Sequence, residues 1–549
     1  MADRSFNSSL KFVPSVLAVA LLFFISCDSK VPVISSISPK TGRMGEIITL
    51  SGSNFGESQE ESHVTIAGIA PTGSSYYLWQ DNLIMVRVPE FGESGLVYVN
   101  TRGRKSNGVL FSNSASMPRP VEGEDLELGP RITSVSPQTG APGTLITITG
   151  NNFGISREGG GVFFSWDYES PSFNPYIVRE TEYIEVSEAE LGYVSWNSRE
   201  IHVRIPDGAV SGHVEVRTPH GRSRPVFFDV SGKSGNKNIT DKRSYTVNYS
   251  VDIRVLEATR PNTLYLWTPK PVNSPSQRNV SIVSRSAEPF VENHRGVSLF
   301  KLDNLGTVLN QSINLSFRVD VYAVETEINP LSVRQETTPL SAMYTQSSDL
   351  IPADDPKIKT TVNTITGREQ NPYIKARMLY DWILANIEIV KTLRSSSGNV
   401  TVAIEQKRAD PYTAALLYIA MARAAGIPCI PVAGVLIDSN GQTIRHYWTE
   451  FWLSGFGWVP VDPVMGADAI PEFFSAKEDS ARYYFGNLDN QRVAFSRGEV
   501  VLTQIESRSR LVSHTQSFSL QNIWEEASGG LESYTSLWGD ITISGIYVH

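Results

Sequence analysis

Short stretches of alternating apolar and polar residues, bounded by Gly, Asn and Pro, fill most of the first 330 residues of this 549-residue chain. A period of two predicts half-buried strands rather than helices. Helical spacing first emerges at Asn371-Pro372, where Ala376, Leu379, Tyr380, Ile383, Leu384 and Ile387 mark one face of a helix ending near Glu388. A second helix is predicted over Pro411–Ala425 from Ala415, Leu416, Ile419, Ala420 and Arg423. Asp410 caps its start, Pro411 takes the first helical position, and Gly426-Ile427-Pro428 stops it. Next come a strand over Val432–Ile437, a turn at Asp438-Ser439-Asn440-Gly441 and a returning strand over His446–Leu453. Alternation puts His446, Trp448, Glu450 and Trp452 on one face of that strand. A turn at Gly455-Phe456-Gly457 leads into Trp458-Val459-Pro460-Val461-Asp462-Pro463.

The strand-rich part repeats itself. Ile34-Ser35-Ser36-Ile37-Ser38-Pro39 returns as Ile132-Thr133-Ser134-Val135-Ser136-Pro137, and Ser51-Gly52-Ser53-Asn54-Phe55-Gly56 returns as Thr149-Gly150-Asn151-Asn152-Phe153-Gly154, both 98 residues on. Later segments pair as well, Ile84–Pro89 with Ile201–Pro206 and Gly95–Val99 with Gly212–Val216. Each copy has the length of a small antiparallel sandwich, and Phe55 and Phe153 are expected to plug its base. The second copy carries an insertion over Ser165–Tyr193, rich in aromatic and acidic residues. It is either a binding loop or a hairpin packed on its own domain. Alternation resumes between Tyr245 and about Pro330, predicting a third small β-sandwich.

A net charge of −9 and the lack of a basic stripe with interleaved aromatics exclude nucleic acid as the expected partner. Two cysteines, Cys27 and Cys429, are too few for a disulfide framework or a cysteine-rich metal centre, and no cofactor motif is found. Cys429 follows the helix stop and is expected in the core. Val13–Ile25 is apolar, follows Arg4 and Lys11, and is shorter than a comfortable membrane span. With Ser26-Cys27 after it, the segment resembles a bacterial lipoprotein signal, which implies lipidation of Cys27 and removal of residues 1–27.

The repeated pattern P-x-x-G-x-x-G followed by alternating Ile/Leu and Asn-Phe-Gly resembles the IPT/TIG family of immunoglobulin-like domains. The segment Lys407–Asp462 resembles the core of transglutaminase-like proteins, a papain-fold family with a Cys–His–Asp triad. Gly426-Ile427-Pro428 matches its helix-end turn, His446, Trp448 and Glu450 its His-x-Trp-x-Glu motif, and Gly457, Trp458, Asp462 and Pro463 its Gly-Trp-x-x-x-Asp-Pro motif. The resemblance implies His446 and Asp462 as acid–base and orienting residues. It puts the nucleophilic cysteine fifteen residues before Gly426, at Pro411, where Ala409-Asp410-Pro411 replaces Gly-Asp-Cys. A thiol there would be activated by the helix start; proline has none. Ile430 also departs from the family, which often has Arg after the turn. Read without the resemblance, His446 is a core histidine and Asp462 an ordinary turn starter.

The expected architecture is multidomain: two all-β immunoglobulin-like sandwiches (28–113 and 131–231) joined by a linker (114–130), a third β-sandwich (240–330), an α+β transglutaminase-like core (345–515) and a C-terminal extension (516–549). The expected role is a lipid-anchored cell-envelope protein on the periplasmic or surface side of a bacterial membrane. Its core would be a catalytically inactive binding or scaffold module, with an envelope protein, a peptide or a glycan as ligand. The alternative is an active hydrolase or acyltransferase on peptide or cell-wall amides, using another nucleophile.

Overall fold

The computed structural model describes residues 31–59, 62–71, 75–89, 94–101, 103–113, 129–157, 159–167, 181–231, 234–307, 310–336, 338–393, 399–471, 474 and 477–549. Cys27 and the apolar stretch before it lie outside them. Among the described residues no helix is long and apolar enough to cross a membrane. The chain divides into two compact units, up to Met117 and from Pro118 onward.

In the first unit one sheet runs Val33–Ser38, Ile47–Ser53, Leu83–Arg87, Tyr76–Gln80, and a second runs Thr41–Gly42, Val109–Asn113, Gly95–Thr101, His63–Ile66. Ile48, Leu50, Val64, Ile84, Val97 and Phe111 form the core between them. The second repeat builds the same order from Arg131–Ser136, Leu145–Asn151, Glu200–Arg204 and Tyr193–Trp196, opposite a sheet centred on Gly212–Thr218.

Phe55 and Phe153 are both fully buried, as the sequence predicts. Each is fixed by a tryptophan, Trp79 Nε1 donating to the Phe55 carbonyl at 3.1 Å and Trp196 Nε1 to that of Phe153 at 3.0 Å. Ser106 and Ser223 accept from Val99 and Val216 backbone N–H groups, each at 2.9 Å, so the duplication reaches into the hydrogen bonds. In the insertion, Glu182–Glu185 pairs with the strand Gly161–Trp166. Trp166 is buried against the third domain, with its ring 5.1 Å from that of Tyr322 and its Nε1 donating to the Pro275 carbonyl at 3.1 Å. The pairing and the burial of Trp166, Ile184 and Val186 in the repeat's own core are the hairpin of the second expectation, and Trp166 adds a joint to the third domain. Phe173 and Tyr176 lie outside the described residues.

The third domain is built on two long strands, β1 (Gly235–Pro269) and β2 (Asn310–Ile328), paired antiparallel from Gly235↔Ile328 to Arg254↔Asn310. The core follows with helices α1 (Pro339–Tyr344), α2 (Pro356–Thr366), α3 (Pro372–Asn386), α4 (Val400–Gln406) and α5 (Pro411–Ala424). Only α3 and α5 were expected, and α1, α2 and α4 correct that reading. In α2 just Ile358, Val362 and Thr366 are buried, a stripe one residue wide in a polar segment. The seven-residue α4 buries only Val400 and Ala403. Helices this short or this polar are held by packing on α3 and α5 rather than by their own periodicity.

A four-stranded sheet lies against α5. It contains β3 (Cys429–Ile437), β4 (Thr443–Leu453), β5 (Gly457–Val461) and β6 (Arg492–Arg497), in the order β5-β4-β3-β6. β3 and β4 pair without a register shift from Cys429↔Phe451 to Ile437↔Thr443, each three residues longer at its N-terminal end than predicted. Apart from its last residue α5 is buried along its whole length, with Leu417, Tyr418 and Met421 packed among Tyr447, Phe451 and Val461. The last strands, β7 (Glu525–Trp538) and β8 (Thr542–Val548), return to the third domain. β7 pairs with Val251–Leu266 of β1, and β8 with Arg243–Asn248. Residues 525–548 therefore belong to the third domain's sheet.

Candidate functional site

The start of α5 is a closed structure. Asp410 is buried at the cap, its Oδ1 accepting the Thr413 N–H at 2.8 Å and its Oδ2 accepting from Gln516 Nε2 at 3.2 Å. Pro411 fills the first helical position, where its missing N–H costs no hydrogen bond, and is itself buried. The next side chain, Tyr412, meets Tyr447 edge-on at 4.9 Å. This brings the helix start against the residue adjoining His446 on β4. Position 411, where the resemblance places the nucleophile, thus holds a side chain with no reactive atom.

The other two expected site residues are together. His446 Nε2 lies 2.7 Å from Asp462 Oδ2, and both side chains are buried. Since an ionised carboxylate only accepts, Nε2 of the imidazole carries a proton toward Asp462. Among the described residues no Ser, Thr or Cys side chain hydrogen-bonds His446. Asp462 also caps the helical turn Pro463–Gly466, Oδ1 accepting from Met465 N–H at 2.9 Å. Burial alone would raise its pKa, but His446, Arg492 and that N–H together hold it below the usual carboxylate range.

Arg492 on β6 is the member that no motif announced. Its Nη1 donates to Asp462 Oδ2 at 2.8 Å, its Nη2 to Asp489 Oδ2 at 2.8 Å, and its guanidinium lies 5.0 Å from the Trp448 ring. Tyr484 adds a hydroxyl donor to Asp489 at 2.9 Å. Burial pulls the Asp489 pKa up, but the guanidinium overrides it and holds the group at about 2. The Asp462 oxygen that orients His446 is therefore shared with a fixed cation, so the pair is embedded in a buried ionic network. Arg492 is thirty residues beyond Asp462 in an unremarkable strand, so spacing could not have found it.

The motif's glutamate serves another purpose. Glu450 Oε2 accepts from Arg497 Nε at 2.7 Å, and Arg497 reaches on to Glu190 of the second repeat. Beside it, Lys237 Nζ bridges Asp207 of that repeat, at 2.6 and 2.8 Å, and the Trp458 carbonyl at 2.7 Å. Glu450 is buried enough that its pKa is raised, even with Arg497 against it. Cys429 is fully buried at the foot of β3, and burial pushes its thiol up to about 12. A thiolate there is out of reach at neutral pH. Among the described residues no group of three His, Cys, Asp or Glu side chains could hold a metal ion.

Fold and site together define a class: immunoglobulin-like modules and, in the same chain, an α+β core with an oriented His–Asp pair. The family profiles make this specific. The IPT/TIG domain matches residues 32–115 and 130–240, and the transglutaminase-like superfamily matches residues 359–463, which include Pro411, His446 and Asp462. The chain thus carries two IPT/TIG domains and one transglutaminase-like domain. A Haemophilus influenzae protein of uncharacterized function is 26% identical over 302 residues, covering 47% of this chain and 80% of its own. Among solved structures, a candidate cysteine protease from Cytophaga hutchinsonii is 15% identical, covering 57% of this chain and 93% of its own, with a TM-score of 0.37. The periplasmic domain of TgpA from Pseudomonas aeruginosa is 13% identical, covering 39% of this chain and 87% of its own, with a TM-score of 0.23.

Proposed function

We propose that this is a lipid-anchored cell-envelope protein whose transglutaminase-like domain does no chemistry and acts as a scaffold. Lipid attachment rests on the Ser26-Cys27 sequence after an apolar run. The scaffold role rests on one observation above the others: a buried proline occupies the first helical position of α5, where a thiol would have to stand. Without a thiol at that position no acyl-enzyme can form there. The surroundings support the same reading. Arg492 ties Asp462 into a charge network, and Glu450 is committed to holding the second IPT/TIG domain. The purified protein is expected to show no amidase, peptidase or transamidation turnover. Turnover that His446→Ala abolishes would overturn the proposal and establish the hydrolase or acyltransferase reading in its place. Release of the protein from membranes on Cys27→Ser substitution tests the anchor separately. The ligand of the scaffold, whether envelope protein, peptide or glycan, is then sought with the anchored form.

A further inference from the structure

The two immunoglobulin-like modules serve as controls for each other, and they differ where the second one meets the core. Arg43 and Met44 of the first correspond to Ala141 and Pro142 of the second. Met44 is exposed, whereas Ala141 and Pro142 are buried. Beside them a cavity of about 260 Å³ opens between the second module and the core. Its walls are the segments about Gly143, Ser187 and Arg204 on the module side, and Glu336, Leu340 and Trp452 on the core side. Trp452 is six residues along β4 from His446, roughly 20 Å away, so the cavity is separate from the His–Asp pair.

Three groups here have bonding capacity to spare. In the first module Arg87 lies over the Tyr77 ring at 5.5 Å and donates to its hydroxyl. The corresponding residues of the second module are Arg204 and Val194, so this arginine has no ring or hydroxyl to meet there. A guanidinium carries five N–H donors. Arg204 uses one, from Nη1 to the Gly143 carbonyl at 3.3 Å, and among the described residues it pairs with no carboxylate. Trp452 is only 6% exposed, and its indole N–H makes no hydrogen bond among the described residues. The nitrogen-bearing edge of that indole lies against Gly143, where an added methyl group would stand 2.9 Å from Cζ2. Glu336 is exposed and, among the described residues, has no cation partner. The other carboxylates of the lining, Glu190 and Asp207, are neutralised by Arg497 and Lys237. The cavity therefore holds one unpaired cation and one unpaired anion, one from each domain. A simple anion would satisfy Arg204 and be repelled by Glu336, and a simple cation the reverse. A ligand that satisfies both is a zwitterion. The volume is below the roughly 300 Å³ at which drug-sized sites begin, so the ligand is small.

We propose that this cleft binds the zwitterionic backbone of a free amino acid or a very short peptide. The ligand carboxylate accepts from the Arg204 guanidinium and the Trp452 indole N–H, its α-ammonium donates to the Glu336 carboxylate, and its alkyl surface lies toward Ile205 and Leu340. The site does not rest on the core being inert.

Calorimetric titration of the full chain with L-alanyl-L-alanine, at neutral pH and low ionic strength, tests the site. Saturable one-to-one binding is expected. N-acetylation of the dipeptide, or amidation of its carboxylate, should each weaken binding at least tenfold. Glu336→Gln should weaken the free dipeptide to a similar degree and leave the N-acetylated form unchanged; since Glu336 bonds to nothing in the fold, this variant should melt as wild type does. Arg204→Gln should weaken the free dipeptide and leave the amide unchanged. Arg87→Gln, at the matching place in the first module, should change neither. L-Alanine then separates the two sources by which binds more tightly. Blocked and free dipeptides binding equally would overturn the proposal, as would binding that both cleft variants retain, or the absence of saturable binding by both L-alanine and the dipeptide.

Discussion

At Gly150 an added methyl group would stand 2.0 Å from the Arg131 carbonyl oxygen and 2.4 Å from the Phe153 ring; Gly52 stands in the same relation to Val33 and Phe55. The glycine before Asn-Phe-Gly is there because the phenylalanine plug and the neighbouring strand leave no room for a side chain. Gly150→Ala should therefore destabilise its module by about 1–3 kcal/mol, read as a lower urea midpoint with an unchanged slope. Cys429 offers a second check. With burial pushing its thiol up to about 12, iodoacetamide at pH 8 should leave it unmodified in the folded Cys27→Ser protein and label it only on unfolding. Asp489, held at about 2 by Arg492 against the cost of burial, sets a pH dependence. A carboxylate depressed in the fold contributes stability above its ordinary value near 4 and loses it as pH falls toward 2. Thermal melts of wild type should fall over that window, and Asp489→Asn should flatten the fall. These residues differ in how legible they were. Phe55, Phe153, His446 and Asp462 stood out because they sit in local motifs. Arg492 and Gln516 did not, because their partners lie 30 and 106 residues away.

At the scale of elements, α5 and its three following strands could be read from sequence because each carries its own signals: cap, stop, turn and alternation. α2 and α4 could not, since they bury only three and two residues each. The junction between the second IPT/TIG domain and the core was equally hidden. It is made of single charged residues, Glu190, Asp207, Lys237, Glu450 and Arg497, scattered over 308 positions (190 to 497). Arg497→Ala would leave Glu190 and Glu450 facing each other, partly or fully dehydrated. Breaking one partner of such a pair costs about 3–5 kcal/mol. The expected result is a second, earlier unfolding step and faster proteolysis near residue 231. Arg497→Lys should recover part of the loss.

For the whole molecule, the domain plan read from the repeats and motifs omits one thing, the return of the chain to the third domain. Nothing in residues 525–548 names a partner, and alternation says only that strands form there. Substituting Gly545 with Pro would remove a backbone donor within β8. If β8 seals β1, this change should lower the melting temperature of the third domain and leave the fluorescence of the first unit untouched.

That return has a consequence for how the protein is made. β1 leaves the ribosome long before β7 and β8, with Arg243 paired to Val548 across 305 intervening steps of chain (548 − 243). Contacts of such separation form late and slowly. The two IPT/TIG domains can close as they emerge, but β1 waits with one edge open until the transglutaminase-like domain has been synthesised. An open strand edge of this length is a template for pairing with other chains. Synthesis stalled within the core should therefore yield aggregates seeded by residues 243–266.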